Sequence, residues 1–126
     1  MKSDSLKVLV CDDSILIRKQ LKDCLLSCGC KEVLEALDGQ NAIDMYKQYK
    51  PDLVFMDIVM PVKGGIEAVA EILEFDKQAK VVMASSSGTK THLRKALEAG
   101  AYEFIQKPFE ENQIKNIVAN CMKGEE

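Results

Sequence analysis

The chain has 126 residues, 47% of them apolar, with 17 Lys and Arg against 20 Asp and Glu for a formal net charge of -3. That is the size of one domain with apolar material enough for a core without disulfide or metal staples. The acidic balance argues against a nucleic-acid partner, which usually leaves a basic stripe, and no window holds the roughly 20 apolar residues of a membrane span.

Taken in chain order, short strand-like runs alternate with longer stretches of helical spacing. "MKSDSLK" is polar and lacks the apolar core of a secretory signal, so a cytoplasmic chain is expected. "LKVLVC" then reads as a first strand, and Leu16, Ile17, Leu21, Cys24, Leu25 and Cys28 line one face of a first helix. "EVLEA" is a second strand. Asp38 is placed to cap a second helix carrying Ala42, Ile43 and Tyr46, with Tyr49 at its end. "PDLVFM" is a third strand, followed by a helix with Ile66, Val69, Ala70 and Leu73 inward. "AKVVMA" leads to a helix with Leu93, Ala96 and Leu97, stopped by Gly100. "YEFIQ" leads to a last helix with Ile114, Ile117, Val118 and Cys121 at i, i+3, i+4 and i+7.

Five strand-then-helix units predict an α/β domain with a doubly wound parallel sheet and helices on both faces. Near-continuous apolar runs such as "LVFM" suit strands buried on both sides. In such folds a site lies beyond the carboxyl ends of the strands. Four of the five ends carry polar chemistry: Asp12 and Asp13, Asp57, Ser85 and Lys107. Strand two ends near Asp38, already explained as a cap. Converging carboxylates raise one another's pKa or demand a cation. An oxygen-only site with open positions suits Mg²⁺. Three carboxylates balance a divalent ion plus Lys107, so the site is neutral before any phosphate arrives.

"CDDS", "VFMDIVMP", "MASSS" and "IQKPF", in this order, resemble the receiver domain of bacterial two-component response regulators. The match spans nearly the whole chain. With nothing after the fifth helix, the chain is most similar to the stand-alone chemotaxis regulators of that family: one receiver domain over 1–126, with no output domain. The resemblance implies the flavodoxin-like strand order 2-1-3-4-5 for this (βα)5 fold, which makes strands one and three neighbours. It also implies the roles. Asp57 is the phosphoacceptor, taking a phosphoryl group from a histidine kinase. Asp12, Asp13, Asp57 and the carbonyl of Val59 hold Mg²⁺. Lys107 and Ser85 contact phosphoryl oxygens, and Lys107 precedes a cis Pro108. Ser85 and Phe104 form the switch, read out by a downstream protein such as a flagellar motor switch. The responsive face is helix four, strand five and helix five, including Tyr102. The kinase docks near helix one and the loop at Phe109. Such a chain catalyses its own phosphorylation and dephosphorylation without being an enzyme.

Several positions depart from common family forms. Phe104 lacks the hydroxyl of the tyrosine found in many relatives, so its coupling to Ser85 must be steric. "MPVKGG" carries Gly64-Gly65 where Asp-Gly or Asn-Gly is commoner, and two glycines suggest a mobile loop. Val59 and Ser87 stand where polar or acidic residues help water attack the acyl phosphate in some relatives. Slow self-dephosphorylation and a separate phosphatase are therefore expected.

Each residue also has a plainer reading. Asp12 could cap the first helix and Asp13 favour its N-terminus. Ser86 and Ser87 suit a turn. His92 suits an exposed helix position, and Met56 and Met60 suit core or rim. Cys24, Cys28 and Cys30 lack a nearby histidine and a fourth cysteine in register, so packing is favoured over metal. The alternatives are a phosphorelay intermediate serving a histidine phosphotransfer protein, a phosphohydrolase, and a flavin-binding domain. A phosphohydrolase often uses an Asp-x-Asp pair, whereas the acids here are adjacent. A flavin domain wants a phosphate-cradling loop after strand one, and "DDSIL" is acidic.

Overall fold

The computed structural model describes residues 6–86 and 90–123, the last two in backbone only. Ser87 therefore lies outside the described residues, as does most of the "MKSDSLK" start. Five strands, β1 (Lys7–Cys11), β2 (Glu32–Ala36), β3 (Leu53–Asp57), β4 (Val81–Ser85) and β5 (Glu103–Gln106), alternate with five helices. These are α1 (Ile15–Ser27), α2 (Gly39–Tyr49), α3 (Gly65–Phe75), α4 (Lys90–Glu98) and α5 (Glu111–Lys123). The strands form one parallel sheet in the order β2-β1-β3-β4-β5, as expected.

Successive side chains of a strand point to opposite faces, and each face builds its own core. Leu9, Val54, Met56, Val81 and Met83 pack with Ala42, Ile43 and Tyr46 of α2, Ala68, Val69 and Ile72 of α3, and Ala96 of α4. Val8, Val10, Phe55 and Val82 pack with Leu21 and Leu25 of α1 and Ile114, Ile117 and Val118 of α5. Both faces of β3 and β4 are buried along their whole length, which is why these runs are apolar without alternation.

The helix faces differ in detail from the expected ones. Leu16, Ala70, Leu93 and Leu97 are exposed, and so is Tyr49. The buried stripe of α3 runs through Ala68 and Ile72 instead of Ala70, and α4 buries only Ala96. Periodicity marks a stripe but not which of its edges meets the sheet. His92 is half-buried and not exposed. The capping of α2 by Asp38 holds, its side chain accepting from the amide of Asn41 at 2.8 Å. Gly100 ends α4 with a φ of 102°, as its lack of a Cβ permits.

Candidate metal and phosphoryl site

Asp12 follows β1 directly, and Asp57 is the last residue of β3. Because β1 and β3 are neighbours with Cys11 opposite Met56, the two carboxyl-terminal ends meet. Asp12 and Asp57 also share strand parity with Val10 and Phe55. Among the described residues, carboxylate oxygens of Asp12, Asp13 and Asp57 lie within 4.8 Å of one another. Asp12 and Asp57 are buried and Asp13 is exposed. Oxygens at the bond length of an octahedral Mg²⁺ stand about 3 Å apart when adjacent and about 4 Å apart when opposite. The three carboxylates therefore fit such an ion with little movement, and their hard, anionic oxygens are the donors it prefers.

Lys107 comes from the far side of the sheet, one residue beyond β5. Its Nζ lies 2.5 Å from Asp12 Oδ2 and 3.1 Å from Asp57 Oδ1. The Lys107–Pro108 peptide is cis, as the resemblance implies, and the Lys107 amide donates to Ser85 O at 2.9 Å. Burial pushes the Asp57 carboxyl above the usual carboxylate range. The Lys107 hydrogen bond opposes this, and the Asp12 and Asp13 charges reinforce it. Burial works against the Lys107 ammonium, but its hydrogen bonds to Asp12 and Asp57 more than offset that and hold its pKa up. The cluster thus favours cations and leaves one carboxylate ill at ease.

Ser85 ends β4, buried, one residue beyond Ala84, the register partner of Asp57. Phe104 on β5 is half-buried, sits opposite Met83 and packs on the α2–α4 face. By alternation Ser85 belongs to that same face, which places the two switch candidates on one side of adjacent strands. Val59 is exposed in the loop after Asp57, its side chain turned to solvent. Tyr102 is exposed just before β5, with Lys80 Nζ 5.8 Å from its ring centre. Phe109 joins Gln20, Leu21, Cys24, Pro108 and Ile114 around a cavity of about 290 Å³ between α1 and the β5–α5 loop.

Three features escaped the sequence reading. The cap of α1 is Ser14, whose hydroxyl accepts from the Ile17 amide at 3.3 Å. Asp12 instead accepts from the Ser14 amide at 2.9 Å, holding the turn and not the helix. The "MPVKGG" loop places its positive φ on Val62 (68°), while Gly64 and Gly65 stay in ordinary regions. Gly65 is required for space: a Cβ there would stand 2.1 Å from the carbonyl oxygen of Asp57. Finally, Arg18 links α1 to Glu35 on β2 at 2.9 Å. A charged residue on the stripe of Leu21 and Leu25 was the available signal.

The cysteines are free thiols. Burial and neighbouring thiols, Cys28 first, push Cys24 and Cys30 up to about 11, so neither is a ready thiolate. Cys121 of α5 shares the α1/α5 core with Cys30. Even so, among the described residues no three cysteines bring their sulfurs within shared ligand distance.

The model of the response regulator receiver domain matches residues 8–119. A chemotaxis protein CheY of Thermotoga maritima is 40% identical over 117 residues, covering 93% of this chain and 98% of its own. Protein CcdB of Bacillus subtilis is 43% identical over 116 residues, covering 92% and 97%. Among solved structures, the CheX–CheY complex of Borrelia burgdorferi with BeF3 and Mg²⁺ superposes with a TM-score of 0.87 at 35% identity, covering 93% of this chain and 89% of the other. With its sheet order, its acidic cluster and these relatives in agreement, the chain belongs to the response regulator receiver domains.

Proposed function

We propose that the chain is a phosphorylation-controlled switch of the chemotaxis type, with Asp57 as phosphoacceptor. The observation that carries this is the meeting of Asp12, Asp13 and Asp57 within 4.8 Å, with Lys107 bonded to two of them. An Asp57 carboxylate oxygen attacks the phosphorus of a phosphohistidine on a histidine kinase. The new O–P bond forms as the P–N bond breaks, and the imidazole keeps the electron pair. Bound Mg²⁺, held by Asp12, Asp13, Asp57 and the Val59 carbonyl, would neutralise charge on the phosphoryl oxygens. Lys107 pairs with one of those oxygens as a compact cation, and the Ser85 hydroxyl donates to another.

The acyl phosphate adds about one negative charge to a site that was neutral. Ser85 moves toward it, and half-buried Phe104 repacks sterically on the same face. The altered surface around α4, β5 and α5, including Tyr102, then binds a downstream protein, a flagellar motor component being the first candidate. The kinase docks at α1 and Phe109. With Val59 exposed and unable to orient water, the acyl phosphate lasts long enough that a separate phosphatase resets it. Such a switch works in the cytoplasm. Among the described residues no helix is long and apolar enough to cross a membrane.

Fluoroberyllate with Mg²⁺ tests the switch, because it mimics the acyl phosphate. Amide resonances of β4, β5 and Phe104 should shift in the wild type and stay fixed in Asp57→Asn. Shifts confined to the Asp12–Asp57 neighbourhood would contradict the coupling.

A further inference from the structure

We infer that Arg18 is a positioning residue for the Asp12–Asp13 pair, itself fixed by Glu35 on the edge strand. Its side chain is only 11% exposed, lying on the α1 stripe that also carries Leu21 and Leu25, three and seven residues on. The guanidinium is forked between two acceptors. Nη1 donates to the backbone carbonyl of Asp12 at 2.8 Å, and Nε donates to Glu35 Oε1 at 2.9 Å. Lys22 holds the other oxygen of Glu35 at 3.4 Å.

The effect on Asp12 is to occupy every hydrogen-bonding group it has. Its amide donates to Ala36 O at 3.2 Å, Oδ1 accepts from Ser14 N–H at 2.9 Å, and Oδ2 meets Lys107. Its carbonyl is left for Arg18. A peptide unit is planar, so fixing the Asp12 carbonyl fixes the plane that also carries the Asp13 nitrogen. That plane also carries the Asp13 Cα, so it fixes the base from which the exposed Asp13 carboxylate reaches its buried neighbour. Arg18 supplies the orientation with a planar, two-pronged donor, which a lysine cannot reproduce.

This inference rests on the Mg²⁺ reading above, and the test separates the two. Mg²⁺ affinity is measured by titration calorimetry without any phosphoryl donor, for wild type, Arg18→Ala, Arg18→Lys and Glu35→Ala. Folding of each is checked by its thermal transition in EDTA. The dissociation constant should rise about tenfold in Arg18→Ala, the scale on which supporting partners act on metal ligands. Glu35→Ala should shift it the same way by less, and Arg18→Lys should stay within about twofold of the alanine variant. In acetyl phosphate reactions, the Mg²⁺ concentration for half-maximal rate should rise while the rate at saturating Mg²⁺ stays close to that of wild type. Unchanged affinity in folded Arg18→Ala and Glu35→Ala would overturn the inference. So would full recovery by lysine, which would make charge and not orientation the contribution. Absence of Mg²⁺ binding in the wild type would overturn the metal reading itself.

Discussion

Lys107 bridges two carboxylates that are buried and close to a third. Removing one partner of such a cluster leaves charge without an answer in a poorly hydrated place. Lys107→Met is expected to lower stability by about 3 kcal/mol at pH 7 in EDTA, measured by urea unfolding. Saturating Mg²⁺ should restore more stability to this variant than it adds to the wild type, because the ion replaces the missing cation. Asp57 behaves oppositely. Its folded pKa is raised, burial being the main cause, so the folded state binds its proton more tightly than the unfolded chain does. Below the ordinary carboxylate range the group is neutral in both states and contributes nothing. As pH rises through that range toward the folded pKa, the folded state loses stability relative to the unfolded one. Asp57→Asn in EDTA should therefore melt several degrees higher than wild type at pH 7, and the gain should fade as pH drops below the ordinary carboxylate range. A gain that is independent of pH would contradict this.

The β3–α3 connection concentrates strain and tight packing beside Asp57. Val62 is β-branched, 82% exposed and in the left-handed region at φ 68°, a conformation that costs a side chain of this shape on the order of 1–2 kcal/mol. Val62→Gly should gain about 1 kcal/mol once the extra freedom of glycine in the unfolded chain is deducted. Gly65→Ala should lose about 3 kcal/mol and disturb the Asp57 backbone, because its Cβ would collide with the Asp57 carbonyl. Chemical denaturation of both variants, with amide shifts at Asp57, checks this. The sequence marks the strand ends well, since each functional group stops an apolar run. It marks the helix edges poorly. Leu16, Leu93 and Leu97 fit the period yet face solvent, because a stripe on a short helix is wider than its contact with the sheet. Nothing in a valine announces a positive φ. The order 2-1-3-4-5 puts β2 beside β1, but no local signal tells that Arg18 turns to Glu35 and not to solvent.

The two cores meet through a single sheet, so the domain stands or falls as one unit around β3. Phe55 is buried at the centre of the α1/α5 face. Phe55→Ala should cost about 4 kcal/mol of global stability, with unfolding still a single transition by far-UV signal and by tyrosine fluorescence. Two separate transitions would show that the faces fold independently. The double-sided sheet brings groups from residues 12 to 107 to one edge, where in the proposed switch an added charge of about one unit acts on β4 and β5. In the proposed switch Asp57 is the place where that charge is added. Intact-mass analysis after acetyl phosphate treatment, with and without Mg²⁺, for wild type and Asp57→Asn side by side, tests it most directly. One added phosphoryl group, about 80 Da, is expected in the wild type only when Mg²⁺ is present, and none in the variant. An unmodified wild type that binds Mg²⁺, or a variant that still gains the mass, would contradict it.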